Sequence, residues 1–212
     1  MKLNEKEALR YLGFRGKPAD ADTDEMIREI GSEMLRTLTP KCVYKRYDIK
    51  VLENAVELDG WRIESIKLSR HLRGCKAAYL FAATLGLQAD MMIRRLSALN
   101  MARGTVAHSV ANALIEDYCD EMQAQIAEKE AATGLFLKPR YSPGYGDFVL
   151  ESQKEIFTRL ECAKRIGLTL TDTMLMVPFK SVTAVIGVTD APTCTYVKCR
   201  GCANTDCEFR EI

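Results

Sequence analysis

The segment Lys138–Phe148 brings together residue types that suit ligand binding. It contains two prolines, which restrict φ, and two glycines, which permit unusual φ values. A glycine-containing turn that leads into a helix exposes backbone N–H groups, and such groups bind anions or carboxylates. Arg140 could bind a carboxylate through two hydrogen bonds, and Tyr141 or Tyr145 could cover a flat or cationic part of the same ligand. The alternative interpretation is a tight turn in which Arg140 caps a nearby group.

The residues after this segment predict the helix that it would lead into. Leu150, Phe157 and Leu160 follow near helical spacing, and Asp147 stands where an N-cap residue is expected. The segment would then lie at a helix N-terminus.

Hydrophobic periodicity along the chain predicts an α+β fold, with an antiparallel or mixed sheet flanked by helices. Helices are predicted over residues 4–12, 24–38, 65–73, 86–98 and 101–131. Strands are predicted within residues 42–56, 77–84, 163–168, 174–177 and 181–187, with turns at residues 53–54 and 59–60. Because helices and strands do not alternate regularly, a parallel βαβ architecture is not predicted.

The longest predicted helix, over residues 101–131, has one apolar stripe that repeats every four residues: Val106, Val110, Leu114, Tyr118, Met122 and Ile126. Glu116 then lies on another face, with Asn112, Asp120 and Gln123. Taken alone, that face is equally consistent with a solvated acidic surface.

The last part of the chain is rich in cysteine. Cys194, Cys199, Cys202 and Cys207 fall within 14 residues, and two residues between thiolates, as in Cys199-x-x-Cys202, is a spacing typical of metal chelation. Zinc and an iron–sulfur cluster both accept four thiolates, so the spacing leaves the two open. The alternative is a set of free cysteines or a redox pair. We therefore predict an α+β domain with a helical N-terminal part over residues 1–190 and a cysteine-rich tail over residues 191–212, with the four cysteines as candidate metal ligands.

Composition excludes several classes of function. The net charge of +1 indicates no nucleic-acid surface. No apolar run approaches the ~20 residues of a membrane span, and the first residues lack the apolar core of a signal peptide. We expect a cytoplasmic protein, in which eight cysteines are thiols or metal ligands rather than disulfides.

The run Arg140-Tyr-Ser-Pro-Gly-Tyr145 resembles the S-adenosylmethionine-binding signature of the reactivation domain of cobalamin-dependent methionine synthase, Arg-x-x-Pro-Gly-Tyr. Leu170-Thr-Asp-Thr-Met-Leu-Met-Val-Pro178 and Ser181-Val-Thr are similar to segments that follow in that family. The resemblance is strongest over residues 100–188. Upstream, the segments at residues 10–14 and 80–86 resemble small, free-standing relatives of the domain.

The resemblance implies a twisted antiparallel sheet with packed helices, and it implies roles for individual residues. Arg140 would hold the carboxylate of S-adenosylmethionine, Glu116 would reach its amino group, and Tyr145 would pack against the ligand. Ser142 and Gly144 would offer backbone groups to the adenosine. The corrinoid would come on a separate cobalamin-carrying methionine synthase or related protein, since no Asp-x-His-x-x-Gly run occurs in this chain.

Two hypotheses about function remain open at this point. In the first, the chain binds S-adenosylmethionine and supports reductive methylation of cobalamin on its partner, with catalysis only in the complex. In the second, the chain is a non-enzymatic metal or iron–sulfur protein that docks on a corrinoid protein and passes electrons to it, with a separate electron donor. The replacement of an aromatic pair of the family by Val185-Ile186 favours this second hypothesis.

Overall fold

The computed structural model describes residues 1–14 and 17–191. Its helices are α1 (Glu5–Tyr11), α2 (Ala21–Thr37), α3 (Ile66–His71), α4 (Leu87–Leu99), α5 (Met101–Ala131), α6 (Gln153–Leu160) and α7 (Cys162–Ile166). Its strands are β1 (Lys41–Val51), β2 (Ala55–Leu58), β3 (Trp61–Glu64), β4 (Cys75–Thr84), β5 (Phe136–Leu137), β6 (Thr169–Leu170), β7 (Met176–Val177) and β8 (Ser181–Thr189). A 3-10 turn, Leu150–Ser152, precedes α6.

The main sheet is antiparallel, with the strand order β3-β2-β1-β4-β8-β5. Thr84 of β4 lies opposite Lys41 of β1 on one side and opposite Ser181 of β8 on the other. Strands β6 and β7 form a separate antiparallel pair. The α+β prediction, with an antiparallel sheet flanked by helices, is confirmed.

The central strand β4 is buried on both faces, which explains its continuous apolar sequence. Tyr79, Phe81 and Ala83 belong to the core shared with α1, α2, α4 and α5. Ala78, Leu80 and Ala82 belong to the core on the opposite face, shared with α3, α6 and α7. The sheet is therefore sandwiched between two helical layers.

Helix α5 follows the prediction from its periodic stripe. Asn100 caps its N-terminus, where the side-chain Oδ1 accepts a hydrogen bond from Arg103 N at 3.2 Å. Gly104 lets α4 approach closely, because a Cβ atom there would lie 2.3 Å from Ser97 Oγ. The stripe itself packs into the first core. The opposite face, with Glu116, is thereby left for contacts described below.

Two local predictions are wrong. Residues 163–168 were expected to form a strand, but residues Cys162–Ile166 form the helical turn α7. Its two buried side chains, Cys162 and Ile166, are four residues apart, and Gly167 ends the helix at φ +67°. Asp147 does not cap the helix that follows it; its carboxylate lies instead at the N-terminus of α3.

Candidate functional site

The segment Lys138–Phe148 continues from β5 along the edge of β8. Lys138 N donates to Gly187 O at 2.8 Å, and Tyr141 exchanges two backbone hydrogen bonds of 2.9 Å with Val185. Because β8 pairs along its other side with the buried strand β4, this pairing fixes the position of the segment on a rigid support.

Helix α3 holds the beginning of this segment. Lys138 Nζ donates to His71 O and to Arg73 O, each at 2.8 Å, so its ammonium satisfies carbonyls at the C-terminus of α3. His71 Nε2 lies 2.9 Å from Pro139 O, and the His71 ring packs 5.0 Å from the ring of Tyr141. Burial lowers the pKa of His71, which favours the neutral imidazole with its proton on Nε2.

Helix α3 also holds the end of the segment. The Asp147 carboxylate accepts from Ser65 Oγ at 2.5 Å, from Ile66 N at 2.8 Å and from Lys67 N at 3.1 Å. The Ser65 hydroxyl, followed by the backbone N–H groups, lowers the pKa of Asp147. Both ends of the segment are therefore attached to one short helix. We call these contacts, from Lys138 to Asp147, the α3 joint.

The turn between these ends is closed by its own backbone. Gly144 N donates to Phe148 O at 2.7 Å, Tyr145 N to Ser142 O at 3.2 Å, and Phe148 N to Tyr145 O at 3.0 Å. Gly144 and Gly146 have φ values of +93° and +63°. Three of the N–H groups that suggested an anion site, those of Gly144, Tyr145 and Phe148, thus donate within the turn, while Tyr145 is 66% exposed.

Arg140 lies against the polar face of α5. Its Nη2 donates to Glu116 Oε2 at 3.0 Å and to Asp120 Oδ1 at 2.7 Å, and its Nη1 donates to Gln123 Oε1 at 3.0 Å. The Arg140 side chain is only 7% exposed, whereas Glu116 is 31% and Asp120 69% exposed. The structure thus joins two predicted site residues, Arg140 and Glu116, in one ion pair.

Glu116 also lines a cavity of about 250 Å³. Asn112, one helical turn before Glu116, lines it together with Lys180, the residue that precedes β8. Lys180 is 5% exposed, and its Nζ lies 2.7 Å from Asn112 Oδ1. Lys180 was not predicted, because a single lysine before a strand has no spacing signal. The face of α5 thus meets two cations, Arg140 and Lys180.

The predicted metal ligands Cys194, Cys199, Cys202 and Cys207 lie outside the described residues. Among residues 1–14 and 17–191, no three His, Cys, Asp or Glu side chains come together in a way that could hold a metal ion. The same part of the chain contains no helix that is long and apolar enough to cross a membrane.

Comparison with known proteins agrees with the fold. A crystal structure described as the MetH reactivation domain bound to AdoHcy superposes with a TM-score of 0.58 and 18% sequence identity over 86% of this chain. This chain spans 65% of the length of that one. No curated protein sequence matches the chain.

The sequence comparison is more specific. The model of the family described as "Vitamin B12 dependent methionine synthase, activation domain" matches residues 74–208, a range that contains the Arg140–Tyr145 run, Glu116 and Lys180. The match covers more than half of the chain, and it confirms the resemblance seen in the sequence. The chain belongs to the family of vitamin B12 dependent methionine synthase activation domains.

Proposed function

We propose that this protein binds S-adenosylmethionine and supports reductive methylation of cobalamin carried by a separate methionine synthase or related corrinoid protein. The observation that carries the proposal is the placement of the Arg140–Tyr145 run. It is paired with β8 at Tyr141 and joined to α5 through the Arg140–Glu116 ion pair. Family membership and the fold support the same conclusion.

The ligand site would use the residues of the turn and of α5. Asp120, with a side chain 69% exposed, is the partner of Arg140 that a ligand carboxylate could most easily replace. Glu116 would receive the ligand's ammonium group. Ser142 and Gly144 would allow close approach of the adenosine to the backbone, and the exposed Tyr145 ring would pack on the ligand.

S-adenosylmethionine would supply the methyl group of its sulfonium and leave as S-adenosylhomocysteine, and one electron from a donor would reduce the cob(II) corrinoid of the partner so that it can accept that methyl group. The part of this chain is to bind the sulfonium compound and to orient it toward the corrinoid of its partner. The rigid support of the turn suits that task, since β8 and α3 hold it from two directions. Catalysis would then exist only in the complex, with the electron supplied by a separate donor protein.

The test is a calorimetric titration of S-adenosylmethionine into the wild-type protein and into Arg140→Ala, alone and with a cobalamin-carrying partner. We expect saturable binding that Arg140→Ala weakens by about 1.5–3 kcal/mol, the scale of a charged hydrogen bond. Arg140→Lys should recover part of the affinity, because it keeps the charge but loses the planar fork.

The matched control is Arg159→Ala. Arg159 also contacts two acidic residues, with Nη1 3.0 Å from Asp59 Oδ2 and Nε 2.7 Å from Glu155 Oε1, but it lies on α6. This variant should bind S-adenosylmethionine like the wild type. Equal weakening by both variants would indicate a general loss of structure, and absence of binding under all conditions would refute the proposal.

A second candidate function concerns the cysteines at residues 194–207. Val185 and Ile186 are 1% and 0% exposed, so neither could contact a ligand at the surface in the way the aromatic pair of the family would. This favours a role in which the four cysteines bind zinc or an iron–sulfur cluster and the protein acts as an electron-transfer or docking partner. Visible absorbance and metal analysis of anaerobically purified protein, with Cys199→Ser and Cys202→Ser as controls, would test it.

A further inference from the structure

Gln123 on α5 contacts both the side chain of Arg140 and the main chain two residues before it. Its Oε1 accepts a hydrogen bond from Arg140 Nη1 at 3.0 Å, and its Nε2 donates to Lys138 O at 3.2 Å. Gln123 is half-buried, and both ends of its amide have a partner. One side chain of α5 thus holds the Arg140 guanidinium together with the backbone from which Arg140 extends.

The two contacts fix which way the Gln123 amide faces. A backbone carbonyl only accepts hydrogen bonds, and a guanidinium only donates them. The amide nitrogen must therefore face Lys138 O, and the amide oxygen must face Arg140. Because a reversed amide would lose both hydrogen bonds, Gln123 has a single orientation, and in that orientation it holds Arg140.

The partners of Arg140 on α5 differ in charge. Glu116 and Asp120 contribute carboxylates, whereas Gln123 is neutral. A ligand carboxylate competes for Arg140 with acceptors of its own charge, and Asp120, whose side chain is 69% exposed, is the easiest to displace. The ligand does not repel Gln123, which is also tied to Lys138 O. We therefore expect Gln123 to keep its contact with Arg140 when the ligand is bound.

Gln123 and Glu116 hold the guanidinium from two ends. They are seven residues apart on α5, which places them two helical turns, or about 10 Å, apart on the same face. Arg140 donates from Nη1 to Gln123 and from Nη2 to Glu116. Because a guanidinium is planar, contacts at both of its terminal nitrogens set the direction in which its other N–H groups point. Bidentate binding of a carboxylate depends on that direction.

We propose that Gln123 is a positioning residue for Arg140, and that it makes the site selective for ligands with an amino-acid carboxylate. This inference rests on the proposed function, in which Arg140 binds the carboxylate of S-adenosylmethionine. Gln123 acts on the ligand only through Arg140: without Gln123 the guanidinium keeps its charge but loses one of the contacts that orient it. Binding of a related ligand without the carboxylate does not depend on Gln123.

The experiment is a double-mutant cycle measured by calorimetry with two probes. S-adenosylmethionine has the carboxylate, and 5′-methylthioadenosine lacks the whole amino-acid end. Each probe is titrated into the wild type, Gln123→Met, Arg140→Ala and the double variant. Methionine keeps the length of glutamine and has a similar helix propensity, but it removes both hydrogen bonds.

We expect Gln123→Met to weaken the binding of S-adenosylmethionine by about 10-fold, the scale of one hydrogen bond to a charged group. The affinity for 5′-methylthioadenosine should stay within about 2-fold of the wild type. In the Arg140→Ala background, Gln123→Met should change the affinity for S-adenosylmethionine by less than about 2-fold, because the group that it positions is absent. A merely structural role would weaken both probes and would persist without Arg140.

The matched control is Gln125→Met. Gln125 lies two residues further along α5 and is exposed. This variant should bind both probes like the wild type. If Gln123→Met is poorly folded, Gln123→Ala takes its place with the same expected results, since alanine also favours a helix.

Three outcomes would overturn the inference while the proposed function stands. They are an unchanged affinity of Gln123→Met for S-adenosylmethionine, equal weakening of both probes, and the same weakening with and without Arg140. If the wild type does not bind S-adenosylmethionine, either alone or with a cobalamin-carrying partner, the proposed function is refuted and this inference with it.

Discussion

Two buried lysines flank the candidate site, and their surroundings differ. The ammonium of Lys138, in the α3 joint, donates to two backbone carbonyls that the C-terminus of α3 leaves available. The ammonium of Lys180 donates to a single side-chain amide at the wall of a cavity. The ammonium of Lys138 thus bridges two backbone carbonyls, whereas that of Lys180 has one side-chain hydrogen bond in the described part of the chain and the Asp90 carboxylate as a nearby opposite charge. Two lysines that are buried to a similar extent can therefore differ in what their charge contributes to stability, because the partners of the charge differ.

The strongest way to test this comparison is Lys138→Met. The substitution removes the hydrogen bonds that His71 O and Arg73 O accept from the ammonium, and a hydrogen bond to a charged group contributes on the order of 1.5–3 kcal/mol. We expect the free energy of unfolding to fall by about 3 kcal/mol in denaturant titrations. Lys180→Met should change it by less than about 1 kcal/mol, because removal of a poorly paired buried charge also removes its desolvation penalty. Equal losses would contradict the distinction between the two lysines.

A smaller effect is expected from Gly146→Ala, next to Asp147 at the end of the α3 joint. A Cβ atom there would lie 2.4 Å from Lys67 Cδ and 2.9 Å from Tyr141 Oη, and the backbone has φ +63°. We expect a loss of about 1–2 kcal/mol in the free energy of unfolding, together with weaker binding of S-adenosylmethionine.

The control for this substitution is Gly134→Ala, where φ is +73° and no atom lies within 4 Å of the added Cβ. It carries the cost of the backbone conformation alone. A ligand affinity that falls equally in both variants would show that the crowding at Lys67 and Tyr141 does not matter for the site.

The smallest effect is expected from Asp147→Asn, which weakens the other end of the α3 joint by about 1 kcal/mol, the scale of a helix cap. Because contacts with Ser65, Ile66 and Lys67 lower the pKa of the Asp147 carboxyl below its usual 3.8, they stabilise the fold above that pH. The stabilisation is lost as the pH falls through the lower, folded-state value. Thermal unfolding measured between pH 7 and pH 2.5 should show a smaller acid destabilisation in the variant.

Asp20→Asn provides the comparison for that experiment. Asp20 caps α2, where its side chain accepts a hydrogen bond from Thr23 N at 2.8 Å. This contact likewise lowers the pKa of Asp20, but the partner belongs to α2 and not to the segment Lys138–Phe148. We expect its acid profile to change without any change in ligand affinity. A change in ligand affinity equal to that of Asp147→Asn would argue against a special role for the α3 joint.

Much of the fold could be predicted because local signals agreed with packing. The boundaries predicted for the long helix, residues 101–131, are those of α5. Its stripe repeats every four residues, and Asn100 is a strong cap. The turns at residues 53–54 and 59–60 lie between β1, β2 and β3, as expected.

The errors arose where short segments carry ambiguous signals. In residues 162–167, the spacing of Cys162 and Ile166 and the following Gly167 indicate a helical turn, but the run is too short for periodicity to decide. Asp147 has the type and position of an N-cap, yet a carboxylate can cap any helix end that tertiary structure brings near it.

The site was predictable only in part. The sequence placed Glu116 away from the apolar stripe of α5, and the family resemblance singled out Arg140. Their contact, however, depends on the pairing of Tyr141 with Val185, residues 44 positions apart, and this register is not visible locally. The burial of Lys180 likewise follows from the packing of α4, α5 and the start of β8, which no local pattern reports.

The position of β8 in the sheet has a consequence for biosynthesis. This strand lies between β4 and β5 and pairs with Tyr141, although it is encoded after all three. Because a chain is synthesised from its N-terminus, β4 and the segment Lys138–Phe148 lack β8, the strand with which both pair, until residues 181–189 have been synthesised. The candidate site can therefore assemble only late in translation, and nascent chains that stop before β8 should not bind its ligand.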